Sequence, residues 1–186
     1  MSAPPELPEF VTRAFDASRR AGYASFCRNE TGRLLAALAA TRTGTLAEFG
    51  TGCGVGTAWL RSGLPTDARI LTAERDPSLA ASAAAIFAGD DQVEVIAADW
   101  SALLDRGPFS LLFLNEGDDH KVDHVADLVE PGGIVVIDDL IPCSIWPPVA
   151  GGRVDAPRED WLLDERFIAA EVMVAGDAAA LIATRR

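Results

Sequence analysis

Glycine recurs at every second position from Gly50 to Gly56, directly behind the apolar Leu46-Ala47 and the carboxylate Glu48, and ahead of the helix-forming Ala58-Trp59-Leu60. Glycine lets the backbone take positive φ and lets a ligand come closer than a Cβ would permit. A helix starting after such a turn offers unpaired N–H groups to an anion. Strand, tight turn and helix start together predict a loop that holds a nucleotide-like cofactor carrying a carboxylate or phosphate. Further acidic and amide side chains follow other apolar runs, at Glu74, Asp99, Asn115-Glu116 and Asp138-Asp139. Ligands of an open α/β sheet bind outside the carboxyl ends of its strands, so these residues form one functional rim if each run is a strand. The preference of Asp and Glu for loops and helix caps accounts for some of them without any function.

The elements that would position this rim follow from periodicity. Helical spacing of Phe10, Val11, Ala14 and Phe15 predicts an amphipathic helix over 9–20. A second helix begins near Thr31, with Asn29 or Thr31 as its cap, and stops between Thr41 and Gly44. From Thr45 onward strands alternate with helices: strands at 46–49, 68–73, 92–97, 109–114 and 134–137, helices at 56–62 and 77–88, a short turn or helix after Asp99, and a helix carrying Val122, Val125, Ala126 and Val129. Asp76 precedes Pro77 as cap and first helical residue. The near-continuous apolar runs at 109–114 and 134–137 suit strands buried on both faces of a parallel sheet. The Pro- and Gly-rich stretch 141–157 reads as a loop over the carboxyl edge, residues 158–168 as a helix, and 170–174 with 179–183 as a hairpin around Gly176-Asp177. The alternation implies an α/β, doubly wound, mostly parallel sheet. All 186 residues form one domain, with N-terminal helices in 1–44 and a cofactor-binding core in 45–186.

Composition narrows the partners. A formal net charge of −12 disfavours nucleic acid and anionic membrane surfaces, and leaves a small molecule as the expected partner. No apolar run approaches the ~20 residues that span a bilayer. Three scattered cysteines, Cys27, Cys53 and Cys143, have no metal-ligand spacing, and the first residues lack a basic and an apolar leader region; a cytoplasmic protein with free thiols is predicted.

The glycine stretch separates two cofactor classes. A dinucleotide loop needs G-x-G-x-x-G, yet counting from Gly50 the sixth residue is Val55, and from Gly52 it is Thr57. Glu48 beside the loop would repel a pyrophosphate and suits an ammonium. S-adenosylmethionine has an ammonium, a carboxylate and a sulfonium, and no phosphate. From Leu46 onward the chain resembles the class I S-adenosylmethionine-dependent methyltransferases. More narrowly, Thr31-Gly32-Arg33-Leu34-Leu35, Glu48-Phe49-Gly50, Phe113-Leu114-Asn115 and Pro131-Gly132-Gly133 to Asp138-Asp139 resemble the small catechol and caffeoyl-CoA type O-methyltransferases.

The resemblance implies a Rossmann-like methyltransferase fold with seven strands, the last antiparallel, and methyl transfer to a hydroxyl oxygen of a small molecule. It assigns cofactor binding to Glu48, Gly50, Thr51, Gly52, Gly56, Glu74, Asp99, Trp100 and Asn115. Glu74 takes the ribose hydroxyls and Asp99 the adenine amine; Trp100 either covers the adenine or simply packs. Gly56 departs from the serine frequent there. A divalent cation, usually magnesium, is implied at Asn115, Asp138 and Asp139, with the acid and amide of the pattern exchanged between Asn115 and Asp139. The other reading of these three has the aspartates capping a turn and Asn115 orienting the cofactor amine. Catalytic candidates are Asn115, Asp138, His120 and Lys121, since Asp118 stands where a lysine is expected. Trp146, Pro147, Pro148 and Trp161 are expected to line the acceptor pocket or to form a homodimer contact. A cofactor-binding protein that has lost catalysis is the alternative function.

Overall fold

The computed structural model describes residues 6–24, 27–115 and 122–186. Two helices, α1 (Glu9–Ala21) and α2 (Asn29–Ala39), precede β1 (Gly44–Phe49), α3 (Val55–Gly63), β2 (Ala68–Ala73), α4 (Pro77–Ile86) and β3 (Val93–Ile96). A 3₁₀ segment over Trp100–Arg106 leads into β4 (Phe109–Leu114), the short α5 (Val122–Val125) and β5 (Val129–Leu140). A two-strand ribbon, β6 (Val149–Ala150) and β7 (Arg153–Val154), is followed by α6 (Ala156–Leu163), β8 (Phe167–Ala175) and β9 (Ala178–Arg185).

The main sheet has seven strands in the order β3-β2-β1-β4-β5-β9-β8. β3, β2, β1, β4 and β5 pair in parallel. The last strand, β9, runs antiparallel to both β5 and β8, as the sequence predicts. Strand order reverses between β1 and β4, which creates the crevice where ligands of such sheets bind.

Side chains alternate between two cores, as a pleated strand requires. Leu46, Ile70, Leu111, Phe113 and Val136 point to the face covered by α1, α2 and α3. Ala47, Phe49, Leu71, Leu112, Leu114 and Val135 point to the other, against Leu103, Val125 and Trp161. The N-terminal helices pack beside α3 in that same layer. A Cβ on Gly32 of α2 would collide with the Trp59 ring, and one on Gly63 of α3 with the carbonyl of Ala36, so the two glycines let these helices approach closely at both points.

Several local expectations change. The helix predicted over 158–168 covers Ala156–Leu163, and Phe167-Ile168 belong to β8, where Phe167 is buried and Ile168 exposed in strand alternation. The strand predicted at 134–137 extends over Val129–Leu140 and takes in Pro131-Gly132-Gly133; a register shift against β4 absorbs it. Neither Asn29 nor Thr31 caps α2. Its cap position is Arg28, without a side-chain hydrogen bond. Asp76 does cap α4, accepting from Ser78 N at 2.8 Å and Leu79 N at 3.1 Å. Asp76→Ala is expected to cost about 1 kcal/mol of stability, read as a lower urea midpoint with unchanged slope.

Among the described residues no helix is long and apolar enough to cross a membrane.

Candidate functional site

The loop after β1 is tied down on both sides of the switch point. Gly50, Gly52 and Gly54 have φ of 87°, 54° and 89°, a conformation that L side chains rarely adopt. Gly50 N and Thr51 N both donate to Ala73 O at the end of β2, at 3.1 and 3.2 Å. Asn115, at the end of β4, donates its backbone N–H to Phe49 O at 3.1 Å and its side-chain amide to Gly50 O at 3.1 Å. The strand-end residue of β4 thus spans the crevice and holds the first glycine of the loop.

Glu74 holds the second turn. Its Oε2 accepts from Gly52 N and its Oε1 from Asp76 N, each at 2.8 Å, and the residue is 6% exposed. A carboxylate offers about four acceptor positions, so two remain for another donor. Asp99 is exposed and accepts from Ser101 N at 3.0 Å, which starts the 3₁₀ segment. Trp100 is half-buried and stacks on Phe49, with centroids 5.2 Å apart and an interplanar angle of 25°.

Two residues differ from the expected picture. Glu48 is fully buried and faces the layer beneath α3. Thr57 Oγ1 and Thr72 Oγ1 donate to its Oε2, the latter at 3.0 Å, and Thr51 Oγ1 in turn bonds Thr72 Oγ1. Its Oε1 is buried with no partner among the described residues. Desolvation, opposed by the two hydroxyls, pushes its carboxyl up to about 8. At neutral pH it is therefore mostly a neutral acid inside the fold, and not the solvent-facing carboxylate that would meet an ammonium. The Thr51 side chain is likewise internal, so this residue offers a ligand only its backbone.

Gly56 explains its own departure from serine. A Cβ there would collide with Glu48 Oε1 and lie 2.8 Å from Phe113 Cε1. The glycine is needed to seat α3 over the buried acid.

The structure adds a residue that pattern reading missed. Tyr23, between α1 and α2, lies over Gly52; a Cβ on that glycine would sit 2.8 Å from Tyr23 Cε1. Its backbone N–H is held by Ser18 O at 3.0 Å. No periodicity marks a single tyrosine after a helix, so only the chain's return onto the loop exposes it.

On the far side of the crevice, Asp138 is half-buried and Asp139 exposed with φ 63°. Thr31 Oγ1 donates to Asp138 Oδ1 at 2.8 Å, which is the role this threonine has in place of capping α2. The Cys27 thiol, which donates to Arg28 O at 3.4 Å, lies near this carboxyl. Burial raises the Asp138 carboxyl above its ordinary value, and burial together with Asp138 raises the Cys27 thiol well above its own. His120 and Lys121 lie outside the described residues, as do Glu116 and Asp118. Trp161, expected at an acceptor pocket, is 2% exposed and packs on Phe167 with centroids 5.1 Å apart; it is a core residue. Trp146 stands on the surface, 61% exposed.

The loop side suits S-adenosylmethionine. The Gly50–Gly54 turn presents backbone without side chains at the switch point, Glu74 retains acceptor capacity, and Asn115 closes the far wall. A hard cation takes oxygen ligands; here Asp138 Oδ1 accepts from Thr31 Oγ1, and Asn115 is held through its amide nitrogen to Gly50 O. Among the described residues no three His, Cys, Asp or Glu side chains converge as a metal site.

No protein-family model and no curated protein matches the sequence. Solved structures do match the fold. The O-methyltransferase from Bacillus cereus in complex with SAH is similar at 19% identity and TM-score 0.76, over 97% of this chain and 92% of that one. Cofactor-bound Rv0187 from MTB is similar at 22% identity and TM-score 0.79, over 96% and 90%. The O-methyltransferase TomG from Streptomyces achromogenes, involved in tomaymycin synthesis and in complex with SAM, is similar at 23% identity and TM-score 0.74, over 97% and 92%. This chain thus has, over nearly its whole length, the Rossmann-like fold seen in those structures, two of them O-methyltransferases.

Proposed function

We propose that the protein is an S-adenosylmethionine-dependent methyltransferase acting on a hydroxyl oxygen of a small molecule. The observation that carries this reading is the loop at the β1/β4 switch point, anchored by Asn115 from one side and Glu74 from the other. It supports the reading because the same fold binds SAM or SAH in the O-methyltransferases it resembles.

S-adenosylmethionine supplies a methyl group on a positively charged sulfur. When bound it would give that methyl to the acceptor oxygen and depart as a neutral thioether that keeps the S–C bonding pair, the hydroxyl proton going to water. The chain's own part is positioning. Glu74 would accept the ribose hydroxyls while keeping its grip on Gly52, and the turn would offer bare backbone to the methionyl group. Asn115 holds Gly50 at the switch point. Alignment of this kind, with fixed dipoles in place of mobile water, supplies much of the acceleration of a displacement reaction. The net charge of −12 agrees with a small acceptor in preference to nucleic acid.

A cofactor-binding protein without turnover is the competing reading, favoured by the amide at Asn115 and the internal engagement of Asp138. Titration calorimetry tests the shared premise: S-adenosylmethionine is expected to bind one-to-one and NAD to give no heat. Absence of heat with S-adenosylmethionine would sink both readings. Heat without methylated product from any hydroxyl acceptor would favour the second.

A further inference from the structure

A second cleft lies away from the glycine turn, between α1 and α4. The two helices run antiparallel and close at one end, where Phe10 and Phe87 pack with ring centroids 5.4 Å apart. One turn further along, the Arg13 guanidinium reaches across to Ala85 O at 3.4 Å. From there to Arg20 on α1 and Ser78 on α4 the helices leave a cavity of about 500 Å³, within the usual range of a small-molecule site. Arg13 and Arg20 are seven residues apart, so they share one face of α1 at about 10 Å along its axis. The charges of this cleft are not balanced from within. Elsewhere on the surface Arg28, Arg106 and Arg166 each hold an acid. Here the acid in the lining, Asp16, is bonded to Arg19. Arg20 and the Ser78 hydroxyl have no partner among the described residues, and Arg13 has the long bond to Ala85 O and the Phe10 ring 5.4 Å away. In a chain with 28 Asp and Glu against 16 Lys and Arg, two guanidiniums left on one cavity without a carboxylate are placed for an anion from solution.

We propose that this cleft binds a small molecule with two oxyanion groups, phosphate or carboxylate, one at Arg20 and Ser78 and the other at Arg13. A guanidinium presents paired N–H donors that match the oxygens of either anion, which a single ammonium charge does not. The Ser78 hydroxyl adds a donor beside Arg20. The Ser82 hydroxyl does not, because it donates to Ser78 O at 2.9 Å. A lone phosphate reaches one guanidinium, whereas a chain of phosphates or a polycarboxylate spans both. The cleft needs no methyl transfer to be occupied: none of its lining residues belongs to the glycine turn, to Glu74 or to the rim of Asn115 and Asp138.

The test titrates the full chain, without S-adenosylmethionine, with inorganic phosphate, tripolyphosphate and citrate at low ionic strength. Calorimetry and the melting temperature are the two readouts, so the result stands apart from whether methyl transfer occurs. Tripolyphosphate or citrate is expected to bind one-to-one, about tenfold or more tighter than phosphate, and to weaken as salt is raised. The tighter of the two polyanions assigns phosphate or carboxylate as the group the cleft takes. Arg13→Gln and Arg20→Gln are each expected to lower that affinity about tenfold. Arg153→Gln, at an exposed position on β7, makes the same change in net charge and should leave it unmoved. Arg13 and Arg20 are exposed as well, so the unliganded variants should melt with the wild type. Neither heat nor a rise in melting temperature with either polyanion at millimolar concentration would overturn the proposal. Binding that survives both substitutions, or that falls equally with Arg153→Gln, would overturn it too, since the anion would then respond to overall charge. Equal affinity for phosphate and tripolyphosphate would rule out the two-ended arrangement.

Discussion

Gly56→Ser is expected to lower the melting temperature by about 5–10 °C, which corresponds to roughly 2–3 kcal/mol of overpacking in a chain of this size. The position is helical and tolerates any residue by its backbone conformation alone. The cost comes from what lies above it: the added Cβ meets Glu48 Oε1 and is 2.8 Å from Phe113 Cε1. Both neighbours are fully buried on strands β1 and β4, so neither can step aside without disturbing the sheet. Relief should come by moving α3, which carries the glycine turn with it, and S-adenosylmethionine affinity should fall along with stability. A double-mutant cycle separates this account from a general helix defect. Glu48→Ala removes the oxygen that collides, so Gly56→Ala should cost less in that background than in the wild type. Equal costs in the two backgrounds would show that the collision with Glu48 is not the cause.

Glu48→Gln should change how stability depends on pH. The folded carboxyl titrates near 8 against an ordinary 4.5, so between those values the folded protein holds a proton that the unfolded chain has released. Stability linked to a raised acid is fully present below the unfolded value and is lost as pH rises toward the folded one. The wild-type unfolding free energy from urea titration should fall between pH 5 and 8 by an amount on the order of a few kcal/mol, and the midpoint with it. The isosteric Gln carries no charge in either state, and its midpoint should be flatter across the same window. Asp138 is raised as well and contributes in the same sense, so the decisive quantity is the difference between wild type and variant. A difference that does not grow from pH 5 to pH 8 would contradict a neutral buried Glu48.

The two predictions share a physical origin that the residue order only half reveals. The alternation of apolar runs with helical stretches specified the sheet well: the predicted ranges 68–73 and 109–114 match β2 and β4 to the residue, and Asp76 caps α4 as expected. Those features are local. A strand buried on both faces needs a continuous apolar run, and a cap needs an acid directly before a helix, whatever the rest of the chain does. Where a local pattern had two solutions, packing chose. Phe167-Ile168 continue a helical period on paper, yet they pair with Arg185 and Thr184 of β9, because the sheet offers a complete hydrogen-bond ladder there.

By itself the sequence determined the glycine turn, the acids that follow the strands, and hence which end of the sheet carries the site. Whether each acid faces a ligand, a cation or another side chain was decided by the tertiary structure, because ionisation and coordination depend on groups that are close only after folding. Thr31 reaches Asp138 across 107 positions and Thr72 reaches Glu48 across 24. Desolvation that turns Glu48 into a neutral acid arises from α3 closing over β1, and the hydroxyl that occupies Asp138 arrives with a helix lying outside the cofactor-binding core. A carboxylate reads the same in any sequence. Its chemistry is set by the donors and the water that the fold leaves around it.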